Sequence, residues 1–524
     1  MPRLGSFSLR VVLHLRDRLL FGKRLGNCIP ASQCNFNRRH FCDSETPKPP
    51  GPEHPFNRTI RILKGDIISL KKRIFPVSPD EIDREIMKNV IPEHCDVLII
   101  GGGIIGSSIA YWLKQRALRG LNIVVIEKEP TYSKASTVLS VGGLRQQFSL
   151  PENIQMSLFA VDFFRNINRH LGIENSATVR TTRYNDDIDI QFTPYGYLFL
   201  ASEKGAEQLV DNCKLQKELG AKNELLSSKE LKAKFPWLNV EGIELGCHGL
   251  EGEGWFDPWT LLQAFKRKAY SLGVHYINAE AVGFQYRLIP DMLAEGIERG
   301  SYESLDKVLI RTPEGEIKAI KFAIGVIAAG SQSGEVAKMA RIGVGKGLLS
   351  IPLPVEPRKR FVYCYHCPDG PGLNTPLTID PSGTYFRREG LFGNYIGGKS
   401  PNEECEPSVE TGLEDVDLTY FDSDVWPHLA KRVPAFEKLK VRSAWAGFYD
   451  HNYFDENGII GSHPYYQNLY LACGFSGHGL QQAPAVGRAI MELILDGEFK
   501  TIDLSRMSFD RIITREKLEE QNIV

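Results

Sequence analysis

The first predicted secondary-structure elements along the chain are two apolar runs that are separated by glycines. Val97 to Gly101 are mostly apolar, which predicts a strand buried on both faces. The run Ser107 to Leu113 is compatible with a helix, and Asn122 to Ile126 forms a second apolar strand pattern. A strand, a glycine turn, a helix and another strand in this order are typical of the start of a doubly wound α/β domain.

The glycines in this turn have the spacing of a dinucleotide site. Gly101 allows a sharp turn, Gly103 lets a pyrophosphate touch the main chain, and Gly106 allows close packing of helix on strand. Glu127 ends the second strand, 21 residues after Gly106, where its carboxylate can accept hydrogen bonds from ribose hydroxyls. The pattern favours FAD or NAD over NADP, and a glycine-rich turn without a ligand is the alternative.

Two later strands also end at small residues. Phe322 to Ala328 is a buried strand pattern that leads into Ala329–Gly330, where a backbone can approach a cofactor. Leu469 to Ala472 leads into the glycine-rich loop 474–479 and then into a helix over 482–495. The amino terminus of that helix can point at an anion or a carbonyl group.

A different pattern occupies residues 352–442. Short β-rich runs, Phe361 to Tyr365, Gly383 to Arg387 and Tyr395 to Gly398, alternate with proline and glycine turns. This pattern predicts an antiparallel sheet.

The composition argues against a nucleic-acid partner, a metal site and a transmembrane segment. The 524 residues include 63 basic and 64 acidic residues, so no basic face indicates a nucleic-acid partner. Ten scattered cysteines are no disulfide framework, and the Cys364–Cys367 pair has no second pair to complete a zinc site, so no metal is predicted. The longest uncharged run, 97–113, is too short for a transmembrane segment.

The amino-terminal 42 residues differ from the rest. They carry eight Arg or Lys residues and one acid, Asp17, with apolar residues at helical spacing. Such a basic amphipathic helix predicts a mitochondrial transit peptide, cut near Arg39–Cys42, with a basic surface helix as the alternative. The matrix is therefore the expected location, and residues 43–92 are assigned to a lead-in segment.

Four blocks together carry a resemblance to a known family. They are residues 101–106 with Glu127, 133–147, 328–333 and 474–479, in the expected order along the chain. The chain resembles the FAD-dependent amine oxidoreductase superfamily, the D-amino-acid-oxidase-like group that contains sarcosine and dimethylglycine oxidoreductases. The resemblance implies non-covalent FAD and an α/β fold: a doubly wound, Rossmann-like FAD-binding domain with an inserted antiparallel β-sheet substrate domain.

The predicted domains alternate along the chain. After the transit peptide (1–42) and the lead-in (43–92), we expect FAD-binding parts at 93–190, 254–345 and 443–505, substrate-domain parts at 191–253 and 346–442, and a C-terminal tail at 506–524.

The resemblance implies a cofactor-binding role for fourteen residues. Gly101, Gly103, Gly106 and Glu127 are assigned to the ADP half, Ser136 and Thr137 to the diphosphate, and Val282 to the adenine. Ala329 and Gly330 are assigned to the end of the third strand pattern, where the backbone can touch the cofactor. The residues assigned to the pyrimidine end of the flavin are Gly474, Ser476, Gly477, Gly479 and Leu480.

This chain departs from the family pattern at the positions for covalent flavin attachment and for oxygen activation. Covalently flavinylated relatives carry a His near Val138–Leu139 or a Cys near Gly447–Phe448, and this chain has neither. Oxidase relatives place an oxygen-activating lysine over the flavin at about Tyr395, which supplies no fixed charge. The expected enzyme is therefore dehydrogenase-like.

This chain also departs from the family pattern at the position that binds the substrate carboxylate. Amino-acid-oxidising relatives carry a Phe-Lys pair where this chain has Leu480-Gln481, and a neutral amide binds a carboxylate poorly. Arg145, Arg387 or Arg388 are candidates to replace the lysine. His478 is a candidate base, with a packed histidine beside the loop as the alternative.

Closer similarity to one mitochondrial branch of the superfamily implies a role in assembly of respiratory complex I. The expected partners are therefore a small amine or amino-acid-like substrate, complex I subunits or assembly intermediates, and a peripheral contact with the inner membrane. The alternative is a catalytically silent flavoprotein that acts as a binding chaperone for those subunits.

Overall fold

The structure is a computed structural model that describes residues 89–117, 120–173, 187–292 and 297–521. The predicted transit peptide and nearly all of the lead-in segment lie outside the described residues. Within them, no helix is both long and apolar enough to cross a membrane.

The strands of the described residues are, in order, β1 His94–Ile100, β2 Ile123–Glu127, β3 Gly143–Leu144, β4 Tyr197–Ala201, β5 Asn223–Ser227, β6 Leu245–Gly249, β7 Gly254–Trp255, β8 His275–Asn278, β9 Glu280–Leu288, β10 Glu303–Arg311, β11 Ile317–Ile327, β12 Val355–His366, β13 Leu377–Ile379, β14 Tyr385–Glu389, β15 Asn394–Gly398, β16 Lys440–Asn452, β17 Ile459–Ser462 and β18 Leu469–Cys473.

The α-helices are α1 Ile104–Arg116, α2 Ser136–Leu139, α3 Pro151–Arg165, α4 Ile167–Leu171, α5 Glu203–Glu218, α6 Ser228–Lys234, α7 Pro258–Ser271, α8 Ser333–Met339, α9 Leu418–Tyr420, α10 Trp426–Arg432, α11 Gly479–Leu495 and α12 Asp510–Thr514. Short 3₁₀ turns are Gly330–Gln332, Gly347–Ser350, Glu403–Cys405, Pro434–Lys438 and Ser505–Met507, and Phe421–Val425 forms a π turn.

The first sheet is the predicted doubly wound sheet. Its order is β17-β18-β11-β1-β2-β8, with β18, β11, β1, β2 and β8 parallel and β17 antiparallel at one edge. Strands β9 and β10 extend β11 in antiparallel pairing. Since β1 lies between β2 and β11, the chain adds strands first on one side of β1 and later on the other. Ligands of such sheets bind beyond the carboxyl ends of the strands at this point.

The second sheet is the predicted substrate-domain sheet, with the order β16-β12-β15-β14-β13-β4-β6-β5. It is antiparallel except between β13 and β4, which run parallel. Together with the first sheet, it confirms the predicted fold class. One boundary needs correction, because β16 crosses the predicted limit at residue 442 and pairs with β12 as far as Asn452. Residues 443–452 therefore belong to the second sheet.

The two faces of the second sheet have different roles. The outer face carries Tyr363, Tyr365, Phe386 and Tyr395, which pack with residues of the following helical turns such as Phe436 in one buried cluster. The inner face is formed by alternate residues of the same strands and faces the first sheet's carboxyl ends. Side chains alternate between the two faces of a strand, so neighbouring residues in the chain enter different environments.

The C-terminal residues pack against the domain and do not form a free tail. Arg511 makes a two-bond ion pair with Asp455, at 2.6 Å from Nε to Oδ2 and 3.0 Å from Nη2 to Oδ1, and both side chains are buried. Glu520 accepts hydrogen bonds from the backbone N–H of Ser149 at 2.6 Å and from the Asn153 amide at 3.0 Å. These contacts place the end of the described chain beside α3.

Candidate functional site

One cavity of about 1220 Å³ extends from the carboxyl ends of β1 and β2 to the inner face of the second sheet. Eleven of the fourteen predicted cofactor residues line it; Gly106, Val282 and Gly474 do not. None of the described residues that line it is a cysteine or a histidine. These are the residue types whose covalent attachment to flavin was considered above.

Glu127 lies at one end of this cavity with its carboxylate held by the backbone. Oε2 accepts a hydrogen bond from the N–H of Gly102 at 2.8 Å, and Oε1 accepts one from the N–H of Glu129 at 2.9 Å. Burial raises the pKa of Glu127, and the two N–H donors oppose this rise. A carboxylate oxygen has more than one lone pair, so both oxygens can still accept ribose hydroxyls.

Two neighbours complete this end. Tyr132 is 1% exposed, lines the cavity, and its hydroxyl has no hydrogen-bond partner among the described residues. Residues 279–281, which follow β8 beside Glu127, also line the cavity, so Val282, predicted to meet the adenine, lies one residue beyond the lining. An unpaired buried hydroxyl costs free energy unless a ligand pairs with it.

The glycine turn has the close approaches that its sequence predicts. Gly101 has φ +105°, and a Cβ there would lie 2.2 Å from the carbonyl oxygen of Ala328. A Cβ on Gly106 would lie 1.9 Å from the Gly101 carbonyl oxygen, so this glycine serves packing and does not line the cavity. The Ile104 N–H donates to Thr137 Oγ1 at 3.3 Å, which places α2 over the amino terminus of α1.

The loop after β18 forms a second backbone wall, which we call the clasp and define as residues 474–480. Ser476, Gly477, Gly479 and Leu480 line the cavity, whereas Gly474, at φ +73°, packs against Val355. Ser476 itself has φ +47°, a left-handed conformation that is uncommon for a residue other than glycine. This conformation therefore requires support from neighbouring groups.

Asp450 and Asn452 on β16 supply that support. Asp450 Oδ2 accepts the N–H groups of Gly474 at 2.8 Å and of Phe475 at 3.0 Å. The Ser476 N–H donates to the Asp450 carbonyl oxygen at 3.0 Å, and the Asn452 N–H donates to Ser476 Oγ at 3.0 Å. The clasp is thus fastened to the second sheet at four points.

Helix α11, which follows the clasp, is fastened to α1. Ser108 Oγ donates to the carbonyl oxygen of Ala483 at 2.7 Å, and Trp112 Nε1 donates to that of Pro484 at 2.9 Å. A Cβ on Gly487 would lie 2.2 Å from Ser108 Oγ, so the two helices are in backbone contact. The amino termini of α1 and α11 therefore open on the same cavity in a fixed relation.

These features fit FAD. The glycine turn and the amino terminus of α1 suit a diphosphate, Glu127 suits a ribose, and the clasp offers N–H groups at the far end. The volume of the cavity is larger than that of common small-molecule pockets, which is about 300–1,000 Å³, and a long dinucleotide requires such a volume. When bound, Ser136 and Thr137 would lie along the diphosphate, because both line the cavity between its two ends.

Tyr395 is not where a catalytic residue would be. It lies on the outer face of the second sheet, 1% exposed, and stacks on Tyr365 with ring centroids 5.8 Å apart. Its hydroxyl donates to the Pro371 carbonyl oxygen at 2.6 Å. The assignment of Tyr395 to the catalytic site is therefore wrong, because strand alternation directs its side chain away from the cavity.

Arg145 and His478 meet each other, but neither lines the cavity. Arg145 Nη2 lies 2.9 Å from His478 Nε2, and the Arg145 guanidinium stacks over Phe148 at 4.4 Å. Burial and then the Arg145 charge hold the pKa of His478 well below its usual value, so it is a neutral, packed histidine at pH 7. The structure corrects both catalytic assignments and favours the packed-histidine alternative.

Gln481 and Arg387 are also engaged in structure. Gln481 Oε1 accepts the backbone N–H of Arg145 at 2.7 Å, which explains an amide at this position. Arg387 Nε donates to the Val141 carbonyl oxygen at 2.9 Å, and its Nη1 pairs with Glu389 at 2.6 Å. Arg388 donates to the Gly390 carbonyl oxygen at 3.1 Å.

Several cavity residues were missed by sequence reasoning. On the inner face of the second sheet these are Arg358, Arg360, Tyr385, Lys399 and Tyr449, and beside the clasp Asp450. The alternation of Val362 with Phe361 and Tyr363 was a readable signal for the strand, but the charged run Arg358–Arg360 did not by itself show which of its side chains face the cavity. Asp450 had no such signal, since its role depends on a loop 24 residues away in the chain.

We expect Asp450→Asn to stabilise the protein at neutral pH. Burial raises the pKa of Asp450 to about 6, partly opposed by the Phe475 and Gly474 N–H groups. Because the folded pKa is above the unfolded one, ionisation costs the folded state stability as pH rises from about 4 to about 6, with no further change above. An asparagine oxygen keeps both hydrogen bonds without the charge, so the variant should gain about 1–2 kcal/mol at pH 7 and nothing at pH 4.

Urea unfolding at a series of pH values measures this difference. Asp211→Asn, at an exposed position on α5, is the matched control and should show no such pH-dependent gain. A gain for Asp450→Asn that is equal at pH 4 and pH 7 would contradict the account.

Comparisons with known proteins agree with this geometry. The family model described as FAD dependent oxidoreductase matches residues 96–493. A Xenopus laevis FAD-dependent oxidoreductase domain-containing protein 1 is 54% identical over 472 residues, covering 89% of this chain and 92% of that protein. A Drosophila melanogaster homolog of that protein is 48% identical over 495 residues, covering 90% and 92%.

Among solved structures, L-proline dehydrogenase from P. horikoshii has a TM-score of 0.62 and 26% identity, and the match covers 82% of this chain and all of that one. The family match spans most of the chain, and it confirms the sequence-based expectation of FAD as the cofactor. The chain belongs to the FAD-dependent oxidoreductase family.

Proposed function

We propose that this protein is a mitochondrial FAD-dependent dehydrogenase that oxidises a carbon–nitrogen bond in a small amine or amino-acid derivative. One observation carries the proposal. The cavity continues past the clasp to the inner face of the second sheet, where Val362, Tyr385 and Tyr449 line it. A substrate can therefore lie between that sheet and the flavin end of the cofactor site.

The residues of this chain have defined tasks in such a reaction. Bound FAD would supply a hydride acceptor for the carbon next to the substrate nitrogen; the nitrogen would release its proton to water, and water would then hydrolyse the imine. The clasp N–H groups and the amino terminus of α11 stabilise negative charge at the pyrimidine end. Burial raises the pKa of Tyr385 to about 12, so its hydroxyl keeps its proton and can donate a hydrogen bond to substrate.

Similarity supports the class of substrate. The P. horikoshii structure is that of an L-proline dehydrogenase, an enzyme named for a cyclic secondary amine, and its likeness extends over 82% of this chain. The dehydrogenase is proposed from the neutral residue Tyr395 at the oxidase lysine position, and the reoxidation rate below tests whether Lys399, which lines the cavity, supplies that charge instead.

The second candidate is a flavoprotein that binds respiratory complex I subunits during assembly and uses FAD as a structural core. One observation favours it: Arg145, His478 and Gln481, the expected catalytic and carboxylate-binding positions, bind one another and leave the cavity wall. The matrix location proposed for either function rests on the basic segment 1–42, and a peripheral contact with the inner membrane agrees with it.

We expect FAD to bind without a covalent bond and through Glu127. Glu127→Ala removes the acceptor of two ribose hydroxyls and should weaken FAD binding roughly 5- to 150-fold, whereas Glu127→Gln should weaken it less. Fluorescence titration of the FAD-free protein measures the affinities. Acid precipitation should leave the flavin in the supernatant; colour retained in the pellet, or an unchanged affinity of Glu127→Ala, would contradict the expectation.

Anaerobic mixing with a panel of amines and amino acids tests the dehydrogenase. Bleaching of the bound flavin by at least one member of the panel is expected, followed by slow reoxidation in air-saturated buffer. Tyr395→Phe is the matched control and should leave both rates unchanged, because the ring stays in the outer cluster. Rapid reoxidation that Lys399→Gln slows would instead identify an oxidase, and an absence of bleaching by every compound would favour the assembly function.

Import into the matrix should remove about the first 42 residues. Terminal sequencing of the protein from purified mitochondria measures this, with protease protection of intact and ruptured mitochondria as the control. An intact Met1 in the matrix fraction would contradict the proposed presequence. Under the assembly function, the same matrix protein should co-purify with complex I intermediates.

A further inference from the structure

The inner face of the second sheet places three cationic side chains on the cavity wall. On β12, Arg358 and Arg360 alternate with Lys359 and Phe361, so the arginines line the cavity while Phe361 enters the outer cluster with the Lys359 Nζ 5.5 Å from its ring centroid. Lys399 follows the end of β15, the strand next to β12, and also lines the cavity. The three cations therefore belong to one wall, formed by the second sheet.

Arg360 has one donor, Nε, that the described residues do not use, and its Nη1 also donates to the Lys359 carbonyl oxygen at 2.8 Å. Its Nη1 donates to Glu406 at 2.6 Å, and its Nη2 donates to the Tyr449 hydroxyl at 3.1 Å. Its Nε is buried and has no hydrogen-bond partner among the described residues. A buried N–H without an acceptor is costly, which indicates an acceptor supplied by a ligand.

Arg358 and Lys399 are even less engaged. The Arg358 contacts are long, 3.4 Å from Nε to Glu356 and 3.8 Å from Nη1 to Glu406. Glu356 is 47% exposed, so solvent screens that pair. Lys399 makes no hydrogen bond or ion pair with the residues that the structure describes, and its three donors are available.

The acidic residues near this wall take up only part of these donors, since Glu406 accepts from Arg360 Nη1 at 2.6 Å. Asp450 already accepts two N–H groups of the clasp. Glu456 also lines the cavity, and its carboxylate makes no hydrogen bond or ion pair with any of the three cations. Glu406 engages the arginines from the side of the loop that follows β15.

We propose that this cationic wall binds the acidic part of the substrate and that the substrate is an amine bearing a dianionic group. The inference rests on the proposed function and specifies its substrate. One carboxylate has two oxygens and fits the fork of the Arg358 guanidinium, which leaves Arg360 Nε and the Lys399 ammonium group without an acceptor among the described residues. A second carboxylate or a phosphate supplies the further oxygens.

The cofactor diphosphate has a cradle of its own. Its cradle, formed by Gly103, Ser136 and Thr137, lies at the amino terminus of α1 on the first sheet's side of the cavity. Arg358 and Arg360 extend instead from the second sheet beside Tyr449. Ser136 Oγ also donates to the carbonyl oxygen of Phe448, next to Tyr449, so the FAD content of variants at these positions distinguishes a substrate role from a cofactor role.

Titration of the FAD-bound protein with simple anions tests the proposal without turnover. Malonate and inorganic phosphate are the dianionic probes, acetate is the monoanionic probe, and the flavin absorbance spectrum reports binding. A saturable change with malonate or phosphate is expected, with acetate at least about 10-fold weaker. The stronger of the two dianions distinguishes a dicarboxylate from a phosphate substrate.

Variants then locate the site. Arg358→Gln, Arg360→Gln and Lys399→Gln should each weaken the stronger dianion about 10- to 100-fold at unchanged FAD content. Arg442→Gln on β16 is the matched control, an exposed arginine that does not line the cavity, and should bind as the parent does.

Three results would overturn the inference. They are equal affinity for acetate and the dianions, no saturable change with any probe, and loss of FAD from the Arg358 or Arg360 variants, which would assign those arginines to the cofactor. Because the probes are not oxidised, tight dianion binding with no flavin bleaching by amines would refute the dehydrogenase and leave this site standing. Bleaching by amines together with normal dianion binding in all three variants would support the dehydrogenase and refute this site.

Discussion

The contact between α1 and α11 is the constraint on which the cofactor site depends. The amino termini of both helices open on one cavity. Ser108 and Trp112 donate to carbonyl oxygens around Pro484, a proline inside α11. Glycine at 487 lets the two backbones meet, because any side chain there would collide with Ser108. The distance between the diphosphate cradle and the clasp is thereby set by backbone packing.

The second sheet completes the site by presenting opposite chemistry on its two faces. Phe361, Tyr365 and Tyr395 bury aromatic surface on the outer side, and this cluster stabilises the sheet. Arg358, Arg360 and Tyr385 use the alternate positions of β12 and β14 to line the cavity. The same sheet also supports the clasp, since β16 carries Asp450 and Asn452. Cofactor loop and substrate wall are thus joined through one edge strand.

Much of the cofactor half could be predicted from sequence. The turn at Gly101, the close approach at Gly106 and the acid at Glu127 follow from local spacing, because a diphosphate and a ribose demand those groups at those intervals. The second strand, glycine loop and helix near the end of the chain followed from the same reasoning. The fold class followed from the change between buried strand patterns and short β-rich runs.

The catalytic half could not be predicted in the same way. Tyr395 was assigned by its place along a family pattern, but a shift of one residue in a strand reverses the face, and here it faces the core. Arg145, His478 and Gln481 come together from segments more than 330 residues apart, so their mutual contacts have no local signal. Asp450 and Lys399 likewise act through packing that only the folded chain creates.

The measurement that tests the account most directly is a crystal structure of the protein with its own flavin. The account predicts FAD lying along the cavity, with ribose hydroxyls about 2.7–3.2 Å from the Glu127 carboxylate and the pyrimidine end against the clasp. Density for the flavin ring outside this cavity, or an adenosine half remote from Glu127, would contradict it.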